Sequence, residues 1–187
     1  NAPPTIHMPP RILYIDHCAL MSGGEIALLN LVRTLDRSRF EPIVLLCSDG
    51  PLAGALREAS VETHVVELDA SVARTRKDAI GVGSLARLGA VLISAKYVKT
   101  LSRFIEDHRI DLVHTNSLKA DILGGAAARL ARRPLIWHVR DRIADDYLPS
   151  SVATAFRILC RLIPDVVIAN SASTLESIRR QRDDRSA

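Results

Sequence analysis

Four clusters of ionisable and hydrogen-bonding residues stand along the chain: Ser22-Gly23-Gly24-Glu25, His114-Thr115-Asn116-Ser117 with Lys119 close behind, His138-Val139-Arg140-Asp141, and Asn170-Ser171. Each offers a different chemistry. The two glycines, lacking Cβ atoms, let backbone approach a ligand closely, and N–H groups at the start of a following helix favour a phosphate. The same loop also reads as a glycine turn that closes a strand into a helix. His114 is a side chain able to exchange a proton near neutral pH, or a hydrogen-bonded core histidine at the end of a buried strand. His138, Arg140 and Asp141 supply a donor, a cation and a carboxylate, a set suited to a polyhydroxylated or phosphorylated ligand. Their alternative is an Arg140–Asp141 surface pair with Arg142 in solvent. Ser117 reads as a ligand contact or a helix cap, Lys119 as a ligand contact or surface charge, and Asn170-Ser171 as a strand-to-helix turn at a hinge or a direct contact.

What brings such clusters together is an alternation of short apolar runs with helical patterns. Strands are expected at Ile12–Ile15, Ile43–Cys47, His64–Leu68, Leu112–His114, Leu135–Val139 and Asp165–Ala169. Between them, helices are expected over Glu25–Leu35, Leu52–Ala59, Ser84–Asp107, Leu118–Leu130 and a segment running from Val152 to Ile163, where Pro164 stops it. A last helix follows a Ser173/Glu176 capping box. Residues Asp69–Gly83 read as an irregular excursion. In the long helix Leu85, Leu88, Leu92, Ala95, Val98, Leu101 and Ile105 share the apolar face, leaving Lys96, Lys99 and Arg103 as a basic stripe that is either a solvated surface or a membrane contact. Strict strand–helix alternation implies an α/β fold: a Rossmann-like, doubly wound parallel sheet with helices on both faces. In such sheets ligands bind beyond the carboxyl ends of the strands, and all four clusters follow a strand.

The totals agree with one domain. The chain has 187 residues, 48% of them hydrophobic but only 4% aromatic, so Leu, Ile, Val and Ala must fill the core. A formal charge of +4 is spread along the chain and not gathered into a block, and no aromatic interleaving accompanies it, so nucleic acid is not an expected partner. Cys18, Cys47 and Cys160 form no C-x-x-C pair, which suits a reducing, cytoplasmic setting. No apolar run approaches the ~20 residues of a membrane span. Residues 1–10, with Pro3, Pro4, Pro9 and Pro10, read as a disordered tail or a cloning remnant. Residues 11–180 are the expected domain, and 181–187 the start of a linker.

Taken in order, the clusters resemble the N-terminal domain of family 4 retaining glycosyltransferases, together with the Leu28-Leu29-Asn30-Leu31 helix and the Asp111-Leu112-Val113-His114 strand. The likeness runs from about Arg11 to Ile178. It implies a GT-B enzyme of two Rossmann-like halves, with the acceptor held mainly by the first and a nucleotide-sugar donor mainly by the second. The family's Gly-Gly-x-Glu loop, which lies against the donor diphosphate, corresponds to Ser22, Gly23, Gly24 and Glu25, with Ser22 replacing the first glycine. Where many relatives carry His-x-His, this chain has His114 and Asn116, the implied catalytic positions. Asn116 can position a hydroxyl but cannot take its proton, so any base role falls on His114 or on none. Acceptor contacts are implied for Ser117, Lys119, His138, Arg140 and Asp141, and a hinge for Asn170 and Ser171.

The family's donor-side Glu, separated by seven residues from a second Glu, has no match here. The resemblance therefore implies an acceptor-side half, expected to fold without transferring sugar by itself. Neither cofactor nor metal is expected, and no metal constellation stands out in the sequence. Implied partners are a nucleotide sugar, a carbohydrate or lipid-linked acceptor, the enzyme's own C-terminal domain, and an anionic membrane contacted peripherally at its inner face. The competing reading is a stand-alone Rossmann-like domain that binds a phosphate ligand without catalysis. G-x-G-x-x-G and the P-loop pattern are both missing after the first strand, which argues against a dinucleotide dehydrogenase or an ATPase.

Overall fold

The computed structural model describes residues 8–68, 84–144 and 148–179, with the backbone alone for 84–93. Most of the tail, the Asp69–Gly83 excursion and residues 180–187 lie outside them. Six strands, β1 (Arg11–Asp16), β2 (Glu41–Leu46), β3 (Glu62–Val65), β4 (Leu112–Thr115), β5 (Leu135–Val139) and β6 (Val166–Ala169), form one sheet in the order β3-β2-β1-β4-β5-β6. Every pairing is parallel. The helices are α1 (Gly23–Thr34), α2 (Pro51–Glu58), α3 (Ser84–Asp107), α4 (Leu118–Leu130), α5 (Ser150–Leu162) and α6 (Ala172–Arg179).

The central strands are buried on both faces, which is why they read as continuous apolar runs and not as alternations. Tyr14, Val44 and Leu46 pack under Leu28 and Val32 of α1 and Leu52 and Leu56 of α2. On the opposite face Leu13, Ile15, Val113 and Trp137 meet Tyr97, Leu101 and Ile105 of α3, Ala127 of α4 and Phe156 of α5. The fold is therefore doubly wound, as the alternation predicts.

α4 lies tight on its face of the sheet because Gly124 and Gly125 present no side chain there. A methyl on Gly124 would sit 2.9 Å from Ile15 Cδ1, and one on Gly125 2.8 Å from Trp137 Nε1. Closeness of helix to sheet is bought with the two glycines' lost helix propensity, about 1 kcal/mol each.

Three details depart from the sequence reading. β3 spans Glu62–Val65, earlier than His64–Leu68, because it is an edge strand with polar, half-exposed residues, and apolar runs mark only strands covered on both faces. In α3 the buried positions include Tyr97 where Ala95 was expected; Ala95 is exposed, and the Tyr97 hydroxyl donates to the Val66 carbonyl at 2.6 Å. Side chains at Leu85, Leu88 and Leu92 lie outside the described set. Finally, α6 is capped by Ser171, whose Oγ accepts from Thr174 N at 3.1 Å, not by Ser173, which lies inside the helix. Cys18, Cys47 and Cys160 are free thiols.

Candidate functional site at the sheet's switch point

Strand order reverses between β1 and β4, which diverge into crossovers on opposite faces and leave a crevice at their carboxyl ends. Residues emerging there are Asp16-His17-Cys18 from β1 and Asn116-Ser117 from β4. Together with the α1 entry loop and the ends of β5 and β6 they enclose a cleft of about 560 Å³. Its wall contains Ser22, Gly23, Gly24, Glu25, Asn116, Ser117, Lys119, Arg140, Asp141 and Asn170, ten of the expected site residues, with His17 and Cys18 besides.

A chain of hydrogen bonds organises the floor. Asp16 is fully buried and accepts from Asn116 Nδ2 at 2.6 Å. The same nitrogen reaches the Gly24 carbonyl at 3.3 Å, while Asn116 Oδ1 accepts from Arg140 Nε at 2.8 Å. Since carboxylate and carbonyl only accept and guanidinium only donates, the orientation of the amide is fixed by its partners. Burial works to raise the Asp16 pKa, but hydrogen bonds from His17, Asn116 and Ser117 and the nearby His17 charge hold it below the usual carboxylate range. Burial lowers the Arg140 pKa, opposed by Asp16 and Glu25. Arginine remains a cation through such a shift.

Asn116 is only 2% exposed and its amide is already engaged on both sides. It acts by aiming Arg140 into the cleft. Nearer the opening, His17 Nδ1 lies 2.7 Å from the Ser117 hydroxyl, and the His17 side chain is 34% exposed. Ser22 occupies the N-cap position of α1 in extended conformation, and its hydroxyl hydrogen-bonds the Glu25 carboxylate. No described glycine lies in the left-handed φ region, and a methyl on Gly23 would meet no atom within 4 Å. Neither backbone conformation nor protein packing therefore requires glycine at position 23, which weakens the plain-turn reading.

His114 and His138 are placed behind the cleft wall. His114 is 7% exposed, its ring 4.9 Å from that of Tyr14 and 5.5 Å from that of His138, with Nε2 3.4 Å from His138 Nδ1. Burial, then the charges of His138 and Arg140, push His114 down to about 3; burial and Arg140 push His138 down to about 4. Both are neutral near pH 7, and His138 Nδ1 stands 3.4 Å from Arg140 Nη2. The pair supports Arg140 from below. Asn170 Nδ2 donates to the Arg140 carbonyl at 3.1 Å, tying the end of β6 to the end of β5, whereas Ser171 serves the helix and is not part of the wall.

Asp16 and His17 are absent from the sequence reading. The signal was available: both directly follow the apolar core of β1, the same place relative to a strand that singled out the other clusters, but the glycines further on drew the assignment.

The glycosyl transferase 4-like domain matches residues 22–185. The chain belongs to this family. Over 133 residues this glycosyl transferase 4-like domain is 30% identical to the UDP-Gal:alpha-D-GlcNAc-diphosphoundecaprenol alpha-1,3-galactosyltransferase of Escherichia coli, an alignment covering 71% of the chain and 30% of that enzyme. The crystal structure of Anabaena Alr3699/HepE in complex with UDP and glucose superposes with a TM-score of 0.67 and 26% identity, covering 92% of this chain and 41% of that one. Acinetobacter baumannii MurG, at 16% identity, shares the fold with a TM-score of 0.60 over 89% of this chain and 42% of its own. The domain spans less than half the length of each of these proteins. Rossmann-like GT-B architecture and membership of a glycosyltransferase family are thus established.

Proposed function

We propose that this domain is the acceptor-side half of a retaining hexosyltransferase that takes a sugar from a UDP-sugar and delivers it to a lipid-linked or polysaccharide acceptor of the cell envelope. The observation that carries the reading is the cleft at the β1/β4 switch point, where a bare glycine loop faces Arg140 and His17 across a polar floor. The similar protein captured with UDP and glucose and the relative that acts on a diphosphoundecaprenol-linked sugar support donor and acceptor class respectively.

In this reading the α1 entry loop receives the donor diphosphate: Gly23 allows close approach, and the N–H groups of the α1 N-terminus face the anion. Arg140, held by Asn116, adds a directed cation. His17, with Ser117, lies where an acceptor hydroxyl would enter and orients it by hydrogen bonding. His114 and His138, neutral and buried, set the position of Arg140. A second, donor-binding domain in the same polypeptide completes the site, with Asn170 at the hinge. Residence is cytoplasmic, at the inner membrane face: Lys96, Lys99 and Arg103 are exposed along α3, available to anionic lipid headgroups. None of the helices among the described residues is long and apolar enough to cross a membrane.

The test is transfer of radiolabelled hexose from UDP-galactose or UDP-glucose to undecaprenyl-diphosphate-linked GlcNAc by the full-length polypeptide that carries this domain. Labelled lipid product is expected. Failure with every UDP-hexose and acceptor, alongside tight binding of another phosphate ligand, would support a non-catalytic binding module instead.

A further inference from the structure

Glu62 and His64 point to one side of the edge strand β3, two residues apart, and His108 follows the last turn of α3. The fold brings these three side chains together on the rim opposite the cleft, beside Arg11, the first residue of β1. One donor atom from each lies within 4.8 Å of the others, and His64 Nε2 stands 2.8 Å from Glu62 Oε1. We propose that Glu62, His64 and His108 bind a divalent transition-metal cation of the Zn²⁺ class and thereby tie the edge of the sheet to the end of α3.

Several features fit a ligand set better than a chance surface pair. His108 Nδ1 is 2.9 Å from the Phe104 carbonyl, an acceptor only, so Nδ1 carries the proton and Nε2 keeps the lone pair. That is the arrangement by which metal-binding histidines are oriented: the second ring nitrogen donates to a carbonyl or carboxylate. Phe104 stacks on His108 with ring centroids 3.8 Å apart and meets His64 edge-on at 4.9 Å, restricting both imidazoles. Tetrahedral zinc places its ligand atoms about 3.3 Å apart, which a small closure of these side chains achieves.

Electrostatics permit a cation despite Arg11. Its guanidinium meets Glu62 Oε2 at 3.2 Å and Glu41 Oε1 at 3.3 Å, its Nη1 bonds the His108 carbonyl, and its backbone N–H donates to Asp111 at 2.8 Å. One guanidinium is thus outnumbered by three carboxylates, and Glu62 Oε1 is turned towards the histidines. The carboxyl end of α3 adds negative potential. Imidazole donors favour Zn²⁺, Ni²⁺ or Cu²⁺ over Mg²⁺ or Ca²⁺. With three protein ligands, water fills the remaining position. Being remote from the cleft, the ion would be structural, and it would not depend on the proposed transferase reading.

Testing requires no activity. A Cys18→Ser background removes the half-exposed thiol as a competing ligand. Titration with Zn²⁺ by calorimetry should give one site per chain, and saturating Zn²⁺ should raise Tm by several degrees, because an ion that binds only the folded state stabilises it. His64→Gln and His108→Gln should each lose the site and the Tm rise while matching the parent's Tm in EDTA; Mg²⁺ should do nothing. Co²⁺ should give visible d–d absorption that vanishes in the same variants. Unchanged Zn²⁺ binding in both histidine variants, or no Tm rise in the parent, would overturn the proposal.

Discussion

The amide of Asn116 donates to the carboxylate of Asp16 across 2.6 Å, joining the end of β4 to the end of β1 at the point where the strand order reverses. This contact turns two neighbouring strand ends into a single platform, and Arg140 of the next strand is fastened to it through the other side of the same amide. A buried carboxylate that is kept ionised by its donors depends on them, and the dependence can be measured.

Removing Asn116 leaves the Asp16 charge without its shortest donor and Arg140 Nε without its acceptor. Asn116→Ala is expected to cost about 1–3 kcal/mol in urea denaturation, the range for a buried polar group deprived of its partner. Asn116→Asp, which sets a second carboxylate against the first, should cost more.

Glycines at positions 23 and 125 should respond oppositely. Gly23→Ala meets no protein atom, so Tm should stay close to that of the parent while transfer by the full-length enzyme falls at least tenfold, the methyl intruding only on a bound ligand. Gly125→Ala drives a methyl to 2.8 Å from Trp137 Nε1 and should destabilise by about 1–3 kcal/mol through overpacking, outweighing its gain in helix propensity. Thermal melts and initial rates on both variants separate a ligand-facing glycine from a packing one.

Stability should peak near neutral pH, with a separate cause on each side. Burial, opposed by the Thr115 hydrogen bond and joined by the charges of Asp16 and Asp141, pushes Asp121 up to about 8. From roughly pH 4 to 8 the unfolded carboxyl has therefore released its proton while the folded one holds it, so stability falls as pH rises, by at most about 1.4 kcal/mol per pH unit. His114 and His138, folded at about 3 and 4 against roughly 6.5 unfolded, act the other way: below about 6.5 the unfolded imidazoles bind protons that the folded ones refuse, so stability falls as pH drops. Two imidazoles outweigh one carboxyl below about 6.5; only the carboxyl acts above it. Asp121→Asn should flatten the alkaline limb between pH 6.5 and 8, as read by urea midpoints across pH, and steepen the acid limb, where the two imidazoles then act unopposed.

If the exposed row on α3 contacts lipid, sedimentation with phosphatidylglycerol vesicles should exceed that with phosphatidylcholine and should fall in a Lys96→Glu/Lys99→Glu/Arg103→Glu triple variant. Equal sedimentation with both vesicles would remove the membrane contact.

Strand β5, helix α4 and helix α3 were legible to the residue because apolar runs and helical spacing report burial directly, and burial is what fixes those elements. Edge strand β3 was not, since burial on one side leaves no run to read. Contacts between distant segments leave still weaker traces. Gly124-Gly125 looked like ordinary helix residues until the sheet came within reach of them, and Tyr97 took the buried place given to Ala95 because its hydroxyl had the Val66 carbonyl to satisfy it. In the cleft, strand-end position did mark Asn116, Ser117, Arg140 and Asp141 as residues of its wall. It could not tell that His114 and His138, on the sheet face inside the strand ends, sit one layer deeper, nor that Asn116 spends its amide on Asp16 and Arg140. Glu62, His64 and His108 show the same limit: His64 and His108 are 44 positions apart in the chain, and only the fold makes β3 and the end of α3 neighbours.

The most direct test of the switch-point cleft as the sugar-transfer site is kcat/KM for hexose transfer by the full-length enzyme with His17→Ala and Arg140→Gln, each checked for native circular dichroism and Tm. We predict a fall of at least about a hundredfold in each, the scale of losing a positioned hydrogen-bonding or charge-stabilising group. Undiminished transfer by both folded variants would contradict the assignment.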